Sequence, residues 1–170
     1  LDRTQLIQLM TGREEKLAFP AARSGAGQPL LAVQALTTAK VRDISFTLHR
    51  GEILGVAGLV GAGRSELLRA LVGADRVQAG EIRLQGRPIH PRSPAEALRL
   101  GLALAPEERR SQGLILSRPI FENITLTHLN RFAVGQVLLN HRRELAAAER
   151  LRQALTLKAN NLRAAVAQLS

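Results

Sequence analysis

Residues 51–66, GEILGVAGLVGAGRSE, constrain the fold more than any other stretch: an apolar run passes through a glycine-rich bend into a segment with helical apolar spacing. GEILGVAG, residues 51–58, is apolar on both faces, the pattern of a buried parallel strand rather than a half-exposed antiparallel one. From Arg64 to Val72 the apolar residues Leu67, Leu68, Leu71 and Val72 fall at helical spacing, and Gly73 supplies the stop.

The bend follows the phosphate-loop spacing G-x-x-x-x-G-K-[ST] with one departure. Gly58, Gly63 and Ser65 are in register, while Arg64 stands where the lysine belongs. A polyphosphate needs many donors close together, and glycines at 58, 61 and 63 let the amides of residues 61–65 turn inward without a Cβ in the way. The helix beginning near Arg64 aims its positive end at the same place. The candidate phosphate-binding residues are therefore Gly58, Leu59, Val60, Gly61, Ala62, Gly63, Arg64, Ser65 and Glu66. Ser65 would hold Mg²⁺ through its hydroxyl. Arg64 keeps the charge of the usual lysine but not its compact shape, which points to nucleotide binding with impaired hydrolysis. A tight strand-to-helix turn whose glycines serve only packing is the competing reading. A dinucleotide fingerprint begun by Gly61 and Gly63 fails at Glu66, and a nucleophile elbow around Ser65 fails at Leu67.

Around this unit the chain reads as strands, then alternating strand and helix, then a helical block. LLAVQAL (30–36) and VRDISFTL (41–48) are expected as antiparallel strands, and residues 80–84 as another strand closed by Gln85-Gly86. Ser93 caps a helix with Pro94 at its first position, and residues 102–105 form a second buried strand. From Pro119 onward the pattern is helical. Phe121 to Leu129 is one segment, and Leu145, Ala148, Leu151 and Leu155 make a stripe expected to pack inside a helical subdomain. Residues 20–29, PAARSGAGQP, have linker composition, and residues 1–19, helix-compatible over Asp2 to Arg13, read as the tail of a preceding module.

Composition limits the function classes. The net charge is +10, but lysine occurs only at Lys16, Lys40 and Lys158, so the charge is nearly all singly scattered arginine. With no Tyr or Trp to stack bases, this favours a solvated surface over a nucleic-acid footprint, and a basic nucleic-acid-binding module stays as an alternative reading. No cysteine is present for disulfides or thiolate metal sites, and His49, His90, His128 and His141 are too scattered for a zinc cluster. No apolar run approaches the roughly 20 residues that cross a bilayer. The first residues lack signal-peptide features and do not begin with methionine, so the chain reads as a piece of something longer.

Several motifs together carry a family resemblance. V-R-D-I-S-F-T-L-x-x-G-E-I-L-G precedes the loop, L-L-R-A-L-V-G follows it, and A-G-E-I-R-L-Q-G and G-L-A-L-A-P-E-E-R-R come later. Over about residues 30–170 the chain resembles the ATPase subunits of ABC transporters, with a P-loop ATPase of the same architecture that serves something other than transport as the alternative. It looks most like the second nucleotide-binding domain of tandem ATPases that energise bacterial monosaccharide importers of the ribose, galactose and xylose type. Three features carry that narrower likeness: G-L-V-G-A-G-R-S-E with its arginine, P-E-E-R-R-S-Q-G-L from Pro106 to Leu114, and E-N-I-T-L from Glu122 to Leu126.

The resemblance implies an α/β P-loop ABC-type ATPase domain: an antiparallel β subdomain, part of a parallel core sheet, and part of a helical subdomain over 119–170. It implies ATP and Mg²⁺ as cofactors. Glu107 takes the Q-loop glutamine position and joins Ser65 as a metal-ligand candidate. Implied partners are membrane permease subunits, the first nucleotide-binding domain of the same chain and, indirectly, a periplasmic sugar-binding protein. Nucleic acid is not among them. The implied location is the cytoplasmic face of the bacterial inner membrane, with Ile115 to Glu122 near the permease. Phe46 is expected in the core, leaving no evident aromatic for adenine. The chain stops at Leu169-Ser170, where the family continues into its signature, so no catalytic residue is expected within this piece and it is expected to be inactive alone.

Overall fold

A computed structural model describes residues 27–135 and 138–169. The expected tail (1–19) and the linker as far as residue 26 lie outside the described residues. Four strands form one antiparallel sheet in the order β2-β1-β3-β4: β1 (Pro29–Thr37), β2 (Ile44–His49), β3 (Ala79–Leu84) and β4 (Arg87–Ile89). The expected strands over 30–36 and 80–84 and the turn at Gln85-Gly86 are all in place.

In β1, Leu31 and Val33 face the core by simple alternation, but the next core residue is Leu36, three positions on. A bulge at Ala35, with φ 49°, absorbs the extra residue and restores the inward face. Ser45 Oγ accepts from the Ala35 amide at 2.8 Å. On the other side, Gly80 (φ +95°) lies so close that a Cβ there would be 2.5 Å from the Ala35 carbonyl oxygen.

Helix α1 (Arg64–Leu71) lays Leu67, Ala70 and Leu71 on Leu31, Val33, Leu36 and Ile82, with Phe46 packed at the margin of the same core. Burying each large apolar side chain contributes about 1.5–3 kcal/mol, so the inner face alone holds the helix to the sheet. Helix α2 (Pro94–Arg99) starts as its sequence signals require: Ser93 Oγ accepts from the Glu96 amide at 3.3 Å, and Glu96 accepts from the Arg92 amide at 2.9 Å.

The two buried parallel strands expected over 51–58 and 102–105 are not formed. Neither stretch pairs with a strand, and Ile53 is 93% exposed. A strand apolar on both faces gains nothing without parallel neighbours and covering helices, and the described residues supply only antiparallel pairings.

Beyond residue 108, a π-helical turn (Arg109–Gly113) leads to a second core. Helix α3 (Ile120–Thr125) runs into a 3₁₀ segment (Leu126–Arg131) kinked at His128. Two short antiparallel strands, β5 (Ala133–Val134) and β6 (Leu138–Leu139), then precede helix α4 (His141–Ala154). Ile120, Phe121, Ala148, Ala159, Leu162 and Val166 fill the core. The fully buried Glu144 accepts from Thr125 Oγ1 at 2.8 Å and lies 2.8 Å from His141 Nδ1. The expected apolar stripe is only half interior. Leu145 and Ala148 pack, whereas Leu151 is 46% and Leu155 76% exposed, because no described element covers the last turn of α4 and Leu155 lies past its end.

Segments 116–121 and 162–167 are tied by four backbone bonds. The amides of Ile120 and Phe121 donate to the Ala164 and Leu162 carbonyls, and those of Val166 and Ala167 donate to Arg118 and Leu116, all at 3.0–3.1 Å. Among the described residues no helix is long and apolar enough to cross a membrane.

Candidate functional site

The glycine-rich loop sits at the N-terminus of α1 with residues 51–62 exposed. Gly63 is the N-cap, at φ 85° and ψ 12°, and its carbonyl accepts the first helical bond, from the Leu67 amide at 2.9 Å. Gly61 is also left-handed, at φ +84°. The Ala62 amide donates to the Leu59 carbonyl at 3.0 Å, closing the bend. Among the described residues the amides of Gly61, Gly63, Arg64 and Ser65 donate to no protein acceptor. This cluster of free donors at a helix start is what an anion requires.

Two features shape the loop from below. The chain makes a tight turn over residues 38–41, in which the Thr38 amide donates to the Val41 carbonyl at 2.8 Å and Thr38 Oγ1 accepts from the amides of Lys40 and Val41 at 3.2 Å each. Val41 is thereby held under Gly63, where an added Cβ would meet its Cγ1 at 2.3 Å. The expected strand over 41–48 therefore starts later, at Ile44, with Val41 committed to supporting the loop. From the same turn, Lys40 Nζ reaches Glu66 Oε1 at 2.8 Å. The ammonium's hydrogen bond and charge hold the Glu66 carboxyl below the usual carboxylate range, and the same partner raises Lys40. Glu66, one of the candidate phosphate-loop residues, is thus engaged with Lys40.

The stem of Arg64 runs back over the first glycine: a Cβ on Gly58 would lie 3.7 Å from Arg64 Cδ and 3.0 Å from Ala62 Cβ. Ser65 and Glu107, separated by 42 residues, meet directly, with Ser65 Oγ donating to Glu107 Oε2 at 3.2 Å. Glu108 caps the π-helical turn that follows, its carbonyl accepting from the Gln112 amide at 2.9 Å. Two adjacent hard oxygen donors fit Mg²⁺, which takes one or two protein oxygens and completes its shell with phosphate and water. Thr38, Lys40 and Val41 had no signal in the sequence, because their part depends on a contact between segments some 25 residues apart.

The family described as ABC transporter matches residues 41–170. The chain belongs to that family. It is 43% identical over its full length to a ribose import ATP-binding protein of Rubrobacter xylanophilus, of which it covers 34%. It is 44% identical to a ribose import ATP-binding protein of Pseudomonas putida, with 98% of the chain and 32% of that protein aligned. The chain thus spans about a third of the length of the curated relatives it matches. Among solved structures, an ATP-binding cassette of an ABC transporter superposes on 84% of the chain and 59% of its own length, with TM-score 0.62 at 15% identity. A nucleotide-free cassette superposes with TM-score 0.59, also at 15% identity, over 84% of this chain and 59% of that one. These likenesses place the sheet, α1 and the helical block in the ATP-binding cassette fold.

Proposed function

We propose that this chain is the nucleotide-binding part of a bacterial ABC-type sugar importer, binding ATP at residues 58–66 and serving as part of the second of two such domains. The observation that carries the reading is the loop itself: four unclaimed amides at the start of α1, with Ser65 and Glu107 side by side at its edge. In this reading the amides of Gly61, Gly63, Arg64 and Ser65 grip phosphate oxygens, and the lack of a Cβ on Gly63 lets the bend settle onto Val41. Arg64 supplies charge from the rim, and its bulk disfavours the compact placement a lysine would take. Ser65 and Glu107 would hold Mg²⁺, which when bound neutralises phosphate charge.

The relatives' names support ribose or a similar monosaccharide as the cargo of the whole protein. Permease subunits, a first nucleotide-binding domain and, indirectly, a periplasmic sugar-binding protein would be its partners at the cytoplasmic face of the inner membrane. Residues 30–170 form the cassette portion in this reading, 20–29 the linker and 1–19 the end of the preceding domain.

Binding is tested by titrating Mg·ATP into the ¹⁵N-labelled chain. The amides of Gly61, Gly63 and Ser65 should shift and saturate while those of Leu31 and Phe121 stay fixed; no shift at millimolar nucleotide refutes the reading. Within the full-length protein, Arg64→Lys should preserve or raise sugar uptake, and loss of all uptake on Arg64→Ala would refute the degenerate role.

A further inference from the structure

Two carboxylates border the loop, and they differ in one respect. Glu66 is neutralised by the Lys40 ammonium 2.8 Å away. Glu107 has no cationic partner within ion-pair distance among the described residues; its one side-chain hydrogen-bond partner there is the neutral hydroxyl of Ser65, at 3.2 Å. Ser65 is the second residue of α1, so its hydroxyl lies in the turn that carries the unclaimed amides. Glu107 therefore brings a carboxylate that has no ion-pair partner among the described residues to the place where the loop would receive a polyanion. A carboxylate about 4 Å from a phosphate charge repels it appreciably even in well-screened surroundings. The same oxygen beside a hydroxyl becomes favourable once a divalent cation lies between it and the phosphate.

We propose that Glu107 makes nucleotide capture conditional on a divalent cation: it opposes metal-free ATP and, with Ser65, welcomes the metal complex. This rests on the nucleotide reading of the loop and adds to it a selection step set by one carboxylate. A neutral amide at residue 107 would hydrogen-bond Ser65 equally well without the repulsion, so the discrimination belongs to the charge and not to the contact.

The experiment measures ATP affinity at the Gly61 and Gly63 amides by NMR, with excess Mg²⁺ and with the cation chelated, for wild type, Glu107→Gln and Glu108→Gln. Glu108 carries the same charge one residue on, in an exposed turn, and so controls for bulk electrostatics. Chelation should weaken wild-type binding at least about tenfold more than it weakens Glu107→Gln, as a close charge pair implies. Glu108→Gln should behave as wild type. Equal cation dependence in wild type and Glu107→Gln overturns the proposal, as does Glu108→Gln losing the dependence to the same degree. Failure of all three proteins to bind Mg·ATP would instead overturn the nucleotide reading itself, and this inference with it.

Discussion

Replacing Gly63 by alanine adds one methyl group at a position with two separate demands. Its φ of +85° is left-handed, which costs an L-residue about 1–2 kcal/mol. The new Cβ would also lie 2.3 Å from Val41 Cγ1, far inside contact distance, and forcing a methyl into a packed contact costs typically about 1–3 kcal/mol. Gly61 separates the two, because its φ is +84° but no atom lies within 4 Å of an added Cβ. Gly61→Ala therefore carries the conformational cost alone, and the excess of Gly63→Ala over it should be about 1–3 kcal/mol. Any gain from stiffening the unfolded chain is common to both variants and cancels. Urea unfolding gives each value from the shift in midpoint at constant m. Val41→Ala removes the offending Cγ1 and leaves Val41 Cβ 3.8 Å away, so the double variant Val41→Ala/Gly63→Ala should recover most of that excess as a coupling energy. If Gly63→Ala is no worse than Gly61→Ala, or shows no coupling to Val41, the claim that the 38–41 turn supports the loop is wrong.

Lys40→Met should remove a stabilisation that exists only while both partners are charged. Because Glu66 titrates below its ordinary range, the difference from wild type should be present at neutral pH and vanish as pH falls through that depressed value; because Lys40 is raised, it should vanish again in strong alkali. Unfolding series across pH read this out, and a difference independent of pH would refute the pairing. In the second core, Thr125→Val keeps the shape but strips Glu144, buried at 1% exposure, of its hydroxyl donor, which should cost about 1–3 kcal/mol in thermal or urea unfolding. An unchanged stability would show that bond to be dispensable.

What could be read from the sequence follows the range of the forces involved. Strand alternation in 30–36, the Ser93-Pro94 start of α2, the Gly73 stop of α1 and the spacing of Gly58, Gly63 and Ser65 are local signals, and each appears in the structure. The bulge at Ala35 was not legible, since the jump from Val33 to Leu36 matters only when Gly80 and Ser45 close on either side of it. Nor was the support of Gly63, because Val41 looks like one more alternating strand residue until the turn at Thr38 tucks it beneath the loop. For 51–58 and 102–105, composition revealed a preference for burial between parallel neighbours, and a preference is not a partner. The meeting of Ser65 with Glu107 lies between these cases: the resemblance implied a shared metal role, and folding brings the two side chains within a hydrogen bond.

The four backbone bonds between 116–121 and 162–167 have a mechanical consequence. Residues 166 and 167 donate at one end of the pair and residues 120 and 121 at the other, and the pair runs antiparallel through Pro119 and Ala165, so a pull along either segment loads the four bonds in shear. The two segments are therefore joined as one hydrogen-bonded ladder, which couples residues 162–167 directly to the start of α3.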